Sequence, residues 1–260
     1  MLERFKKDFK KYFKYSIVSA KAQLRSEVAN SYLNWIWWVL DPLCFMFIYT
    51  FIFGYVFKAK EPYFPVFIFI GLSMWDYFNR TVKTSVRIVK NNKAIVTKVY
   101  MPKFILILTK MWVNAFKMLI SFGIVALMMI VFRVPLTINI LYAVPVMAIM
   151  LLFSFGCAAI LLHFGVYVED LSNVMEIVLR FLFYLTGIFY SVESRIPEIG
   201  GLLNKCNPMA FLITSMRKCL MYGETPDFGL LLVWFLASLL LAVAGVRIIY
   251  KNENSYVKVI

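Results

Sequence analysis

Apolar residues along this chain gather into long runs that are separated by short polar segments. Six runs approach or exceed the roughly 20 residues that a helix needs to cross a hydrocarbon core of about 30 Å. They lie at 35–57, 63–79, 104–131, 140–166, 171–191 and 229–250. The pattern predicts an all-α integral membrane protein, in which residues 35–250 form a domain of six transmembrane helices and residues 251–260 form a short tail.

Residues 1–34 are rich in charge, yet their apolar positions recur every three or four residues. This stripe consists of Leu2, Phe5, Phe9, Phe13, Ile17, Ala20, Leu24 and Val28. The lysines between positions 6 and 14 fall largely off the stripe. Such a period predicts a basic amphipathic helix that lies in the membrane surface, and the alternative is a disordered basic arm.

Composition and charge agree with a membrane protein. The chain is 62% hydrophobic and only 16% charged, so its surplus apolar surface must face lipid. With Arg247, at the end of the last run, counted as part of the tail, 18 of the basic residues that flank the predicted spans fall on the side of both termini and 7 on the other side. Because short cytoplasmic loops carry the excess of Lys and Arg, we expect a multi-pass protein of the cytoplasmic (inner) membrane with both termini cytoplasmic. The net charge of +14 flanks the spans, which favours anionic membrane lipids over a nucleic acid as partner.

Charged residues inside the predicted spans need partners. Lys117 lies deep in the third span, where we expect it to face Glu176 near the start of the fifth span or a wet cavity. Lys110 is close enough to the cytoplasmic interface to reach water. Asp41, which precedes Pro42, is either a buried carboxylate with a partner or an interface residue one or two turns deep.

Motifs of nucleotide and metal chemistry are missing. The sequence has no GxxxxGK[ST], HExxH, GxSxG or CxxC pattern, so we predict no catalytic residue, no metal site and no cofactor of its own. His163 is the single histidine and is interpreted as a packing residue. Cys206 and Cys219 share one segment and either pair or remain free thiols.

Two further segments bear on packing. Small residues in the fourth span permit close approach of another helix; they are Ser154, Gly156, Ala158 and Ala159. The external segment 192–228 contains an apolar stretch, Met209 to Met216, that is too short to cross the membrane. It predicts short re-entrant or interfacial helices before the last span, which either cap a pathway or form a purely structural lid.

Several of these features together resemble a known family. They are Trp37, Leu40 and Pro42 in a W-x-x-L-x-P pattern, YFPVFIFIGLSMWDYF at 63–78, NNKAIVTKVYMPKFIL at 91–106, Asp170, Ile196 with Pro197, and NPMAFLITSMRKCLMYG at 207–223. In order and spacing they are similar to the membrane-spanning permease subunit of ABC-type polysaccharide exporters, which export lipid-linked O-antigen, teichoic acid and capsule.

The resemblance implies a transport subunit and a division of labour with another chain. A separate ABC ATPase subunit would bind ATP and Mg, and two permeases would assemble with two ATPases. The 80–103 segment would hold the helix that docks on the ATPase. Its expected coupling residues are Lys90, Asn91, Asn92, Lys93, Ile95, Val96 and Lys98.

The resemblance also implies a channel lined by the first and fifth spans for a lipid-linked polysaccharide. Aromatic residues suited to sliding sugar rings are Phe45, Tyr49, Phe181, Tyr184, Phe189 and Tyr190. Basic residues of the N-terminal helix, Lys21 and Arg25, would meet the lipid-pyrophosphate end. The alternatives are an ABC permease for drugs or small lipids and a membrane-embedded acyl- or glycosyltransferase.

Overall fold

A computed structural model describes residues 2–29, 34–59, 61–191 and 200–259. The regular elements of these ranges are all helical. The α-helices are α1 (Leu2–Val28), α2 (Trp37–Tyr49), α3 (Phe64–Val86), α4 (Ile88–Asn91), α5 (Lys93–Val96), α6 (Phe104–Val131), α7 (Ala143–Tyr167), α8 (Leu171–Leu185), α9 (Gly200–Cys206), α10 (Pro208–Arg217) and α11 (Phe228–Val259). Short 3-10 helices lie at Asn34–Ile36 and Ile138–Tyr142, and π-helical turns at Thr50–Val56 and Lys218–Tyr222. Ile196 and Pro197 lie outside the described residues.

Four helical stretches are long and apolar enough to cross a membrane. Within the described residues they are Trp37–Val56, Phe104–Val131, Ile138–Tyr167 and Phe228–Tyr256. The other two apolar runs also become helical, but α8 has 15 residues and so spans about 22 Å at about 1.5 Å per residue. The helix α3 is longer, yet its second half carries Asp76, Arg80 and Lys83. The structure therefore confirms the all-helical fold, and within the described residues four of the six predicted runs form helices that are strongly apolar.

The helix α3 is the centre of the larger core. Its residues 66–70 are at most 1% exposed, and its neighbours include α2, α6, α7, α8 and α10. A second core surrounds the start of α6, where Phe104 and Ile105 pack with Ile88, Val96 and Ile249. This second core joins the 80–103 segment to the last third of α11.

The small residues of α7 pack against α11. A Cβ added to Gly156 would lie 2.9 Å from the backbone nitrogen of Ala242, and one added to Gly245 would lie 2.6 Å from the Cβ of Ala159. Side chains at these positions would force the two helices apart. The close approach predicted from the small residues is confirmed.

The N-terminal helix α1 packs along the first half of α6. Phe5 contacts Phe104 at 5.0 Å between ring centroids, and Phe13 contacts Trp112 at 5.8 Å. The buried positions Ser16 and Ala20 lie on the same face, whereas Ile17 is 42% exposed. Residues 2–28 thus form the predicted helix. Its buried face includes Ser16 in place of Ile17, which the predicted stripe contained.

Both ends of the chain meet beside the 80–103 segment. The predicted tail continues α11, and Glu253 accepts hydrogen bonds from Arg4 of α1 and from Tyr100, the latter at 3.0 Å. Tyr250 of α11 donates to Asp8 of α1 at 2.8 Å. Burial of the Tyr100 hydroxyl and its bond to Glu253 raise its pKa. We call these five residues the terminal clamp.

The crossing of α3 and α7 leaves no room for a side chain at Gly165. An added Cβ would overlap the backbone carbonyl of Val86. Gly165→Ala is therefore expected to lower the free energy of unfolding by about 1–3 kcal/mol, seen as a lower thermal midpoint of the detergent-solubilised protein. The matched control is Gly123→Ala on α6, where an added Cβ meets nothing within 4 Å. It is expected to gain about 0.5–1 kcal/mol from helix propensity, and equal midpoints for the two variants would contradict the prediction.

Candidate functional site

A half-open groove of about 750 Å³ lies between α2, α3 and α8, with contributions from α1 and α6. One part of its wall is charged and another is aromatic. The charged residues are Glu27, Asp41, Asp76, Arg80, Lys83, Lys117, Glu176 and Arg180. The aromatic residues are Trp37, Trp38, Phe45, Tyr49, Phe69, Trp75, Phe183 and Tyr184.

Arg80 holds two carboxylates in the charged part of the groove. Its Nε lies 2.8 and 2.7 Å from the two carboxylate oxygens of Asp76, one helical turn away on α3. Its Nη2 lies 3.7 Å from Asp41 of α2. The Asp41 side chain is 51% exposed, so it is a partly solvated carboxylate with a partner.

The helices α3 and α8 are joined by a second set of charges. Lys83 contacts Glu176 at 3.3 Å, and Arg180 contacts the same carboxylate oxygen at 2.9 Å. The Arg180 side chain is 76% exposed. Glu176 is therefore engaged from both sides by cations.

The partner of Lys117 differs from the one expected. Its Nζ lies 2.6 Å from Glu27 at the end of α1, and Glu176 is instead held by Lys83 and Arg180. The reason is the path of α1, which runs beside α6 and brings its last turn to Lys117. Lys117 also borders the groove, so it has both an ion-pair partner and a cavity. Lys110, one heptad earlier, borders a smaller cavity of about 310 Å³ beside α1.

The formal charge of the groove is balanced. Its four carboxylates stand against four cations, and each cation has a carboxylate within 4 Å. A wall of this kind offers many hydrogen-bond donors and acceptors without a net field. It suits a polar, largely neutral ligand better than an isolated ion.

Five of the six aromatic residues predicted for the pathway belong to one cluster. Phe189 stacks on Phe53 at 4.3 Å and lies 4.8 Å from Tyr49. Tyr49 stacks on Phe45 at 6.3 Å, Tyr184 lies 6.4 Å from Phe189, and the Tyr190 hydroxyl donates to the Tyr184 carbonyl at 2.8 Å.

The sixth predicted residue, Phe181, lies elsewhere on α8. Its side chain is 64% exposed and it does not border the groove. Trp75, Phe53 and Phe183 belong to the aromatic wall or cluster and were not predicted. Phe53 lies four residues beyond Tyr49, so helical spacing could have found it.

The 80–103 segment is divided between two parts of the fold: residues 80–86 belong to α3, and the remainder contains the single-turn helices α4 and α5. Ile95 is 40% exposed, whereas Val96 is 5% exposed and belongs to the second core. The remaining predicted coupling residues Asn91, Lys93 and Lys98 are exposed, and Asn92 donates to the Ile88 carbonyl at 2.7 Å.

Lys90 fastens this segment to the loop before α8. Its Nζ lies 2.9 Å from Glu169, and this hydrogen bond and the charge of Lys90 lower the pKa of the Glu169 carboxyl. The segment is therefore connected to α8, which borders the groove.

Lys21 and Arg25 are exposed on α1 and do not border the groove. The end of α1 reaches it through Glu27 and Val28 instead. The two basic residues predicted to meet the lipid-pyrophosphate end thus lie on α1, outside the wall of the groove.

Other candidate chemistry is accounted for by packing. Within the described ranges, His, Cys, Asp and Glu side chains form no group of three that could hold a metal ion. The His163 Nδ1 lies 2.9 Å from the hydroxyl of Tyr256, and its ring packs against Phe164 and Tyr167. Cys206 is an exposed thiol and Cys219 a buried one, and the two are unpaired.

The long apolar helices are those of a multi-pass membrane protein. A family model for the ABC-2 type transporter matches residues 17–221, and the chain belongs to this family. It is 25% identical over 249 residues to an O-antigen export system permease protein, RfbA, of Klebsiella pneumoniae, covering 95% of each chain. The identity is 24% to an RfbA of Myxococcus xanthus, with 90% of each chain covered.

A third relative is named for a different polymer. The chain is 22% identical to the polysialic acid transport protein KpsM of Escherichia coli, over 86% of this chain and 89% of the relative. The resemblance to polysaccharide-export permeases read from the sequence is thereby confirmed.

The ion pair between Glu27 and Lys117 predicts measurable coupling between α1 and α6. Glu27→Gln and Lys117→Met are each expected to destabilise the bundle, and the double variant to lose about 1 kcal/mol less than the sum of the two. Thermal midpoints of the four proteins in detergent measure this. A control cycle with Glu176→Gln and Lys117→Met is expected to be additive. Additivity in the first cycle would mean that the pair contributes nothing.

Proposed function

We propose that this chain is the channel-forming membrane subunit of an ATP-driven exporter, which moves lipid-linked polysaccharide of the O-antigen or teichoic-acid type across the cytoplasmic membrane. The observation that carries the proposal is the groove, whose aromatic wall and charge-balanced wall lie side by side. The family and the names of the relatives support it.

Sugar polymers match both walls of the groove. Aromatic faces bind the apolar faces of sugar rings, while carboxylates, guanidinium groups and amides exchange hydrogen bonds with hydroxyls. A cationic drug would favour a net negative wall. A lipid-modifying enzyme would need a clustered catalytic set, and His163 is occupied by packing contacts far along α7.

Exposed charge on α8 supports assembly with a second copy. Arg180 and Phe181 are adjacent and both exposed, and a guanidinium facing hydrocarbon is costly. In the proposed homodimer this face of α8 borders a shared, wet pathway with α2. In the same arrangement α3 and α8 also cross the membrane, which makes six spans and leaves both termini cytoplasmic. The short helices α9 and α10 are re-entrant at the outer end.

Energy enters through the 80–103 segment in this proposal. A separate ATPase subunit binds ATP and Mg and presses on the exposed side of α4 and α5. The contact from Lys90 to Glu169 passes the movement to α8, while Lys21 and Arg25 meet the lipid-pyrophosphate end of the substrate near the cytoplasmic surface.

The proposed substrate is tested by complementation, in which this chain is expressed in cells that lack their own export permease and polysaccharide export is measured. The chain is co-expressed with the ATPase that co-purifies with it, and surface polysaccharide and retained lipid-linked polymer are measured. Tyr49→Ala is expected to lower export about three- to tenfold, because one aromatic platform is lost. The matched control is Phe51→Ala on the exposed side of the same helical stretch, which is expected to export normally. Dye efflux without polymer export would favour a drug permease.

The docking role of the 80–103 segment is tested by two neighbouring residues. Ile95→Asp changes an exposed side chain, so the protein is expected to fold and to lose stimulation of the partner's ATPase. Val96→Asp buries a charge in the second core and is expected to lower the amount of folded protein instead. Ile95→Leu serves as the conservative control. Normal stimulation by the folded Ile95→Asp protein would remove this segment from the docking surface.

A further inference from the structure

A fully enclosed arginine lies at the end of α10, away from the charged part of the groove. Arg217 is 3% exposed, and its three described hydrogen bonds go to backbone carbonyls. Nε donates to Phe67 at 3.1 Å, Nη1 to Gly187 at 2.8 Å and Nη2 to Ile188 at 2.9 Å. The guanidinium also lies over the Phe67 ring, 3.4 Å from its centroid.

Burial of a guanidinium is costly, so its acceptors identify what it stabilises. Two of them are the carbonyls that follow the end of α8, where Gly187 has a left-handed φ of 69°. These two carbonyls lie beyond the last residue of α8, and buried backbone carbonyls outside regular structure need hydrogen-bond donors from elsewhere in the protein. Arg217 donates hydrogen bonds to the carbonyls of Gly187 and Ile188 and at the same time contacts α3 through Phe67.

The other end of α10 holds the same turn. Asn207 caps the helix by accepting from the backbone nitrogens of Met209 and Ala210 at 3.1 and 3.3 Å. Its amide donates to the Thr186 hydroxyl at 3.4 Å. The turn at 186–188 is therefore bound from both ends of α10.

The residue that follows this turn is Phe189, which is 4% exposed. It stacks on Phe53 and contacts Tyr49, Phe183 and Tyr184. Phe189 is thus fixed by a turn that Arg217 holds. Its ring connects α8 to the π-helical turn Thr50–Val56 that follows α2, beside the aromatic wall of the groove.

The space for the guanidinium is provided by Gly71. A Cβ at this position would lie 2.6 Å from Nη2 of Arg217. Phe67 and Gly71 are four residues apart and share one face of α3. The sequence of α3 thus supplies an acceptor, an aromatic face and a vacancy for one side chain of α10.

From this geometry we propose that Arg217 is the positioning residue of an outer seal: it fixes the turn 186–188 so that Phe189 closes the groove against Phe53 and Tyr49. The inference rests on the proposed function in one respect: it takes the end of the groove beside Phe189 to be the outer end of the export pathway. Opening the pathway then requires α10 to release the turn.

The seal is tested by the accessibility of a buried reporter, with the full chain in lipid nanodiscs and without ATP or polysaccharide. The background protein carries Cys44→Ser and Cys206→Ser, which remove the exposed thiols. Ile188→Cys is introduced into this background, and the rate at which a hydrophilic maleimide labels it is measured. With Arg217 present we expect slow labelling. With Arg217→Met we expect labelling about tenfold faster or more, because charge-assisted hydrogen bonds to the turn are lost.

Three controls separate a local seal from general loosening. A second reporter, Ile107→Cys in the other core, is expected to stay protected in the Arg217→Met protein. Arg133→Met removes an exposed arginine and is expected to change neither reporter. Arg217→Lys keeps the charge without the planar fork and is expected to label at an intermediate rate.

Slow labelling of Ile188→Cys in the Arg217→Met protein, or equal acceleration at both reporters, would overturn the proposal. If Arg217→Met does not fold, Gly71→Ala decides, because its methyl displaces the guanidinium while the charge is kept; slow labelling there overturns the seal. Because no substrate is present, faster labelling at position 188 in a protein that exports no polysaccharide would retain the seal and reject the proposed substrate.

Discussion

Charged side chains in an apolar helical bundle must be compensated within the protein, because hydrocarbon cannot solvate them. In this chain the compensation decides which helices adjoin the groove. Arg80 joins α3 to α2, Lys83 joins α3 to α8, and Lys117 joins α6 to α1. Each link crosses between elements, so the groove is bounded by the helices that its own ion pairs connect.

The same constraint bears on motion. Pairs with half-exposed members are worth little individually, and several of them share a carboxylate or a cation, as at Glu176 and Arg80. A shift of α8 relative to α3 therefore exchanges one hydrogen-bonded partner for another or for water, at low cost. The buried face of α3, by contrast, is close-packed and resists deformation, so it serves as the fixed side of the groove.

Much of this architecture follows from sequence periodicity. The runs at 104–131 and 140–166 predict α6 and α7 closely, and the small residues of α7 predict its close neighbour. The run at 229–250 predicts α11 but not its continuation through the tail to Val259. The end of α8 is not marked in the sequence, because residues 171–191 stay apolar although the helix ends at Leu185. The helix stops where Gly187 takes a left-handed conformation, and composition alone does not indicate that change. The second run carries charges beyond residue 75, and hydropathy cannot say whether they face lipid or a groove.

In the candidate site, contacts between residues close in sequence can be predicted, whereas contacts between distant residues cannot. Asp76 with Arg80 and Glu176 with Arg180 are spaced four residues apart, so their pairing is readable from the chain. The partner of Lys117 is not, since Glu27 is 90 residues away and its approach depends on the path of α1. Nor does the sequence reveal that Arg217 is enclosed, because its acceptors are backbone carbonyls, which every residue possesses.

The terminal clamp joins positions that are far apart along the chain. Arg4 and Asp8 of α1 contact Glu253 and Tyr250 of α11, and Arg4 and Glu253 are 249 residues apart. Each doubling of the length of a closed loop costs only about 0.6 kcal/mol of chain entropy. This very long loop is therefore closed at little more cost than a loop of half its length, so a few side-chain contacts are enough to hold α1 beside α11.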